Sequence, residues 1–202
     1  MKRFAFLIVV AVVAMFNSFQ AKATDCPPGA TLVTRTLNIG ICTYHVEICY
    51  KCDPAAPNYI KIFGWAKVPS DCDNGLNSNQ EYEALCQQVY QASFVNALCE
   101  MPGPCDEYPG GFHWTFAEQI CWFKMNIDGV IWYFHCNLED DYCYAGFRLC
   151  WDPVKGVFVT LQTSPYEISG NPTCTTSVLS VPDPLPGNSS ECFYLQTPCI
   201  FP

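Results

Sequence analysis

Fifteen cysteines stand in a chain of 202 residues, and every one of them lies beyond position 25. That density, in a chain long enough to build an ordinary core without help, calls for a disulfide scaffold formed in an oxidising compartment. The amino end supplies the route. Lys2 and Arg3 precede an unbroken apolar run from Phe4 to Phe16, and Ala21-Lys22-Ala23 follows as a small-x-small cleavage signal, the pattern of a secretory signal peptide. The thirteen residues of that run fall short of the roughly 20 that span a bilayer. The sequence therefore predicts a signal peptide over residues 1–23 and one cysteine-rich domain over residues 24–202. The mature protein is expected to be secreted or extracellular, a class that includes the periplasm and the cell surface, with no membrane insertion after cleavage.

Removal of Lys2, Arg3 and Lys22 takes the basic side chains from ten to seven against nineteen acidic ones, and the net charge from −9 to −12. So acidic a surface repels phosphate backbones, which excludes nucleic acid as a partner. Fifteen is also an odd number, so at least one thiol lacks a partner in its own chain. It is either buried and inert or joins two chains.

The predicted fold is mainly β, a small α+β arrangement of two related antiparallel hairpin modules, a central hairpin and one helix. Modules occupy residues 24–77 and 106–180, the helix 79–101, and an irregular tail 181–202. In the first module, Cys42, Tyr44, Val46, Ile48 and Tyr50 alternate with polar residues in a strand from Ile41 to Lys51, and a second strand runs from Tyr59 to Lys67. The second module repeats the grammar, with Cys143, Ala145, Phe147, Leu149 and Trp151 on one face and a partner strand from Val157. Each first strand carries Cys-x6-Cys, an aromatic and Asp-Pro, and each module closes on a further cysteine, Cys72 or Cys174.

In the central hairpin, Asp128-Gly129 is a favoured two-residue turn between Cys121–Ile127 and Val130–Cys136. That turn places Met125 opposite Trp132, Phe123 opposite Phe134 and Cys121 opposite Cys136. Opposed Cα atoms lie about 4.5 to 5.5 Å apart, within disulfide range, which makes Cys121 and Cys136 the specific disulfide candidates. For the helix, Ser78-x-x-Glu81 forms a capping box ahead of Tyr82, Leu85, Cys86, Val89, Tyr90 and Phe94 at helical spacing, and Pro102 follows its end near Met101. Cys86 and Cys99 are placed to tie this helix to the sheets.

Few residues offer chemistry. Cys49-Tyr50-Lys51-Cys52 has redox or zinc spacing, but it ends a strand rather than opening a helix, and no second close pair completes a zinc site, so structural disulfides are its expected role. Only three histidines exist, His45, His113 and His135, and nothing in the sequence pairs one with a nucleophile. Asp71, Asp73, Asn74 and Asn77 alternate oxygen ligands around a glycine bend and form a weak calcium candidate, although Gly75 falls one residue early for an EF-hand loop. No other cofactor is expected. Tyr108 and Trp114, flanking Pro109-Gly110-Gly111, are the candidate ligand-stacking aromatics.

These readings converge on a non-enzymatic extracellular or cell-surface structural or interaction protein held by about seven disulfides, whose partners are other extracellular proteins or itself. The alternative is a secreted ligand-binding module with carbohydrate as the leading ligand class, and the second alternative a secreted hydrolase using carboxylates. A row of aromatics on one face marks the binding module, an exposed strand edge or a thiol at a contact marks the interaction protein, and a pocket of converging carboxylates or a histidine marks the enzyme.

Overall fold

Alternating apolar and polar side chains build the first hairpin. In the computed structural model, which describes residues 26–53, 58–99, 104, 112–136, 142–169, 174–195 and 201, strand β2 (Cys42–Lys51) buries Cys42, Tyr44, Val46 and Ile48 and leaves Thr43, His45 and Glu47 half-buried. Strand β3 (Asn58–Val68) pairs with it antiparallel, and Phe63 is an extra residue at a bulge between the Glu47↔Gly64 and Ile48↔Ile62 pairs. Strand β1 (Thr31–Ile39), which the alternation did not reveal, pairs with the other edge of β2 across all nine residues. Gly40, at φ +59°, makes the turn between them.

The central hairpin forms as its turn dictates. Asp128 and Gly129 both have positive φ, and β5 (Cys121–Ile127) faces β6 (Val130–His135) in the predicted register, Met125↔Trp132 and Phe123↔Phe134. Strand β4 (Phe112–Gln119) runs directly into β5 through Ile120. Strand β7 (Tyr142–Asp152) pairs with β4, and β8 (Val157–Gln162) with β7. Residues 143–152 of β7 follow the same order of buried and half-buried positions as residues 42–51 of β2.

The two hairpins meet at β3. Its residues 58–61 run parallel to β4 while residues 64–66 pair antiparallel with β6, so one strand forks between two neighbours. Asn58 closes the base of the fork, accepting from the Asp53 amide at 2.7 Å and donating to the His113 carbonyl at 3.2 Å. The result is a mixed, eleven-stranded sheet completed by three short strands, β9 (Glu167–Ser169), β10 (Thr176–Ser177) and β11 (Phe193–Tyr194). The carboxyl-terminal part is thus less irregular than predicted. Strand β11 adds to the free edge of β5, where the ladder groups of that strand need partners.

Helices α1 (Ser78–Val89) and α2 (Ala92–Leu98) cover one face of the sheet. Tyr82 lies edge-on to Trp122, Tyr90 stacks on Phe116, and the Tyr90 hydroxyl donates to the Ala117 carbonyl at 2.7 Å. The single predicted helix is therefore two, because Tyr90 caps α1 while its side chain is anchored in the sheet, and α2 restarts at Gln91. The cap also sits one residue earlier than expected. Asn77 accepts from the Asn79 and Gln80 amides and Gln80 reaches back to the Asn77 amide, which frees Glu81 to turn inward.

Five disulfides are formed among the described residues: Cys26–Cys49, Cys42–Cys72, Cys52–Cys99, Cys121–Cys174 and Cys136–Cys192. Cys143 and Cys150 are also disulfide-bonded. Cys121 and Cys136 do face each other, with the Cys136 amide donating to the Cys121 carbonyl at 3.1 Å, but they are not bonded to one another. Their strands are already joined by ladder bonds, and each sulfur instead reaches the carboxyl-terminal segment. The matched closing cysteines likewise do not close alike, since Cys72 bonds Cys42 and Cys174 bonds Cys121. Cys99 ties α2 to the end of β2 as expected, whereas Cys86 is a free, buried thiol.

Gly64 lies under the Phe134 ring, and a Cβ there would meet two ring carbons at 2.8 and 2.9 Å. Gly64→Ala should therefore cost about 1–3 kcal/mol of unfolding free energy in denaturant titration. An unchanged midpoint would show that Phe134 can leave the fork at no cost.

Candidate functional site

A cavity of about 330 Å³ opens at the amino end of α1, bounded by β3, β5, β6 and a strap of chain over residues 178–183. Alternation along β5 and β6 aims its walls. Lys124 and Asn126 share the inward face of β5 with Trp122, and Ile131 and Tyr133 share that of β6, so two polar side chains enter a face that is otherwise core.

Each charge there is met. The Glu81 carboxylate, 3% exposed, accepts from the Tyr44 hydroxyl at 2.7 Å and from Lys67 Nζ at 2.9 Å. Lys124 Nζ, also buried, donates to the Val181 carbonyl and to Asp183, both at 2.8 Å, and so pins the strap. Asp183 itself is 63% exposed. The Tyr133 ring stacks on Trp65 at 3.9 Å, and its hydroxyl meets the Ser78 hydroxyl at 3.0 Å. Burial raises the pKa of Tyr133, and burial followed by the Glu81 hydrogen bond raises that of Tyr44, so both phenols stay protonated. Two carboxylates converge here, but each is held by a lysine, an arrangement suited to binding through hydrogen bonds. Sequence reasoning missed this site. Its signal was Lys124, a lysine at an inward position of a strand, which must find a partner.

The residues singled out from the sequence go elsewhere. Trp114 lies within a strand. Strand β4 begins two residues before it, and Trp114 is buried between Asn58 of β3 and Phe147 of β7. Tyr108 lies outside the described residues, as does the signal peptide segment 1–23. The calcium candidates form a turn and a helix cap: Asp73 accepts from the Gly75 amide, Asn74 from the Leu76 amide, and Asn77 caps α1. Their oxygens point at backbone donors rather than at a common centre, and Asp71 shares no hydrogen bond with them among those formed in this turn. Among the described residues, no three His, Cys, Asp or Glu side chains gather as a metal-holding group. Cys49 and Cys52 take separate disulfide partners, Cys26 and Cys99, as a structural role requires.

Two further surfaces bear on function. On the face opposite the helices, Trp132 stacks on Phe134 at 5.6 Å, with Phe123 at 6.0 Å and Phe63 at 6.5 Å from the same ring. Trp132, Phe134 and Phe123 are half-buried. At the sheet margin, β1 pairs among the described residues only with β2, and most of its side chains are exposed. No protein-family model, curated protein or solved structure matches the chain.

The histidine with the most constrained ring lies at the fork. His135 is buried, and its Nε2 donates to the Ile62 carbonyl at 2.9 Å while Nδ1 has no partner among the described residues. Protonation would bury a cation with an unmet N–H, and burial, with the nearby Lys61 cation, holds its pKa well below the ordinary value. A base with a depressed folded pKa binds fewer protons folded than unfolded, so its contribution is complete above about pH 6.5 and is lost as the pH falls below it. Unfolding free energy should decline from pH 7 to pH 5, and His135→Gln should flatten that decline. Parallel profiles for the two proteins would refute the assignment.

Proposed function

We propose that the protein is a non-enzymatic, disulfide-stabilised extracellular interaction protein that engages its partner by strand addition at β1. The carrying observation is the β1 edge. Nine residues in unbroken register with β2, without proline or bulge, leave the outward backbone donors and acceptors of β1 without a partner strand among the described residues, apart from the Asn38 carbonyl, which accepts from Gln88 Nε2 at 3.0 Å. Natural edges are usually short, bulged or charged, and this one has a single charge, Arg35, at its centre. A partner strand gains main-chain hydrogen bonds there, and a carboxylate opposite Arg35 adds a favourable cross-strand pair.

Several features support an extracellular setting. Five disulfides are formed, and among the described residues no helix is long and apolar enough to cross a membrane. The full set is seven. Cys143 and Cys150 lie seven residues apart on β7, about 23 Å at the usual rise, and so cannot bond each other. Each therefore takes a separate cysteine from outside the described residues, which leaves Cys86 as the odd thiol. A second reading, a module binding carbohydrate, is favoured by the row of Trp132, Phe134 and Phe123 on one open face.

A nine-residue valine–threonine peptide with a central glutamate is the probe for the edge. On titration it should shift amide signals along β1. Proline at the one of Thr34 and Arg35 whose N–H faces outward should weaken binding roughly tenfold while sparing the β2 ladder and the unfolding midpoint. Binding indifferent to both prolines, or shifts that spare β1, would exclude strand addition.

A further inference from the structure

The cavity beside α1 has a composition that selects a ligand class, independently of the β1 edge. We infer that it binds a single neutral, hydroxyl-rich ring of pyranose size. Its four charged groups form two ion pairs, Lys67 with Glu81 and Lys124 with Asp183, so the wall carries no net charge. An ion of either sign would gain from one member of a pair what it lost to the other. A hydroxyl both donates and accepts, so two neighbouring hydroxyls can give a proton to a carboxylate oxygen and take one from the ammonium beside it.

The hydrogen-bond inventory favours such a ligand. An ammonium has three donors; Lys67 commits one to Glu81, and Lys124 commits one each to Val181 and Asp183. Ser78 and Tyr133 share one hydrogen bond, which leaves one of their two hydroxyl protons for a guest. The Ser70 oxygen accepts from the Ile131 amide and keeps its own proton. Asp183, largely exposed, offers its second oxygen as an acceptor. Donors and acceptors therefore face the same space.

Between them stand Leu76, Ile131 and Leu179, which match the C–H faces of a sugar ring. The volume, about 330 Å³, lies at the lower end of the range of small-molecule sites. One ring fits it better than a chain of them. The aromatic row lies on the opposite face of β6, where Trp132 and Phe134 alternate with Ile131 and Tyr133, so the two surfaces are separable by experiment.

The test is titration of the oxidised, isotope-labelled mature protein with methyl glucopyranoside, methyl galactopyranoside and N-acetylglucosamine, with sodium acetate and inorganic phosphate as anionic comparisons. At least one of the three sugars should shift the amide signals of Ser70, Ser78 and Tyr133. Asp183→Asn, at an exposed position, should weaken that binding roughly tenfold. Leu179→Trp, which fills the mouth of the cavity without touching either ion pair, should abolish it while keeping the parent unfolding transition. The inference is overturned if none of the three sugars shifts these signals, or if acetate or phosphate does so and the sugars do not. It is equally overturned if sugar-induced shifts are confined to Trp132 and Phe134, or persist unchanged in both variants.

Discussion

Each of the five described disulfides joins the sheet to something that is not a neighbouring strand. Cys49 holds the segment before β1, Cys42 the loop ahead of α1, and the end of β2 holds the end of α2 through Cys52–Cys99. On the other side, Cys121 and Cys136 grip the two ends of the carboxyl-terminal segment that folds over β5. Adjacent strands already share a ladder of hydrogen bonds, whereas the peripheral segments have little core of their own. The closed loops span 23 to 56 residues, so in the chain-entropy model each bond contributes about 3 to 4 kcal/mol. These bonds hold in place the pieces from which the cavity is built, above all the strap that Lys124 fastens from within.

Strand β3 is the second organising constraint. It pairs with β2 along one edge and divides the other between β4 and β6, so the first hairpin, the central hairpin and the β7–β8 hairpin become one sheet. Gly64 lets Phe134 lie across the fork, and His135 closes it with a hydrogen bond to Ile62. Lys61, beside this junction, is buried deeply enough that its pKa is pushed down to about 8.

What the sequence made legible was local. The alternation in β2 and β7 and the Asp128-Gly129 turn depend on neighbours along the chain, and the structure reproduces the burial of Cys42 to Ile48 and of Cys143 to Leu149 as well as the register of the central hairpin. What it hid was the choice of distant partners. Cys121 and Cys136 face each other as the turn requires, yet bond elsewhere. Strand β1 escaped notice because its outer residues are mostly polar, as an edge permits, so Val33 and Leu37 were too few to mark a period. Trp114 reads as a stacking candidate from the Pro-Gly-Gly bend ahead of it, but it lies in β4, which takes the ring into the core. The cavity was illegible because Lys67, Glu81, Lys124 and Asp183 come from four separate stretches of chain.

The odd cysteine has a place in this scheme. Cys86 sits on the buried face of α1, fully covered, and burial reinforced by the Glu118 carboxyl pushes its thiol well above the ordinary range. A thiol so placed neither attacks nor joins chains, which moves the question of partners from sulfur chemistry to the β1 edge and the cavity. The most direct test of the stapled architecture is intact mass of the non-reduced mature protein after alkylation, with peptide mapping. The account predicts a monomer that takes up no alkyl group when native and one, at Cys86, when denatured without reductant. A disulfide-linked dimer, alkylation of the native protein, or a second reactive thiol on denaturation would contradict it.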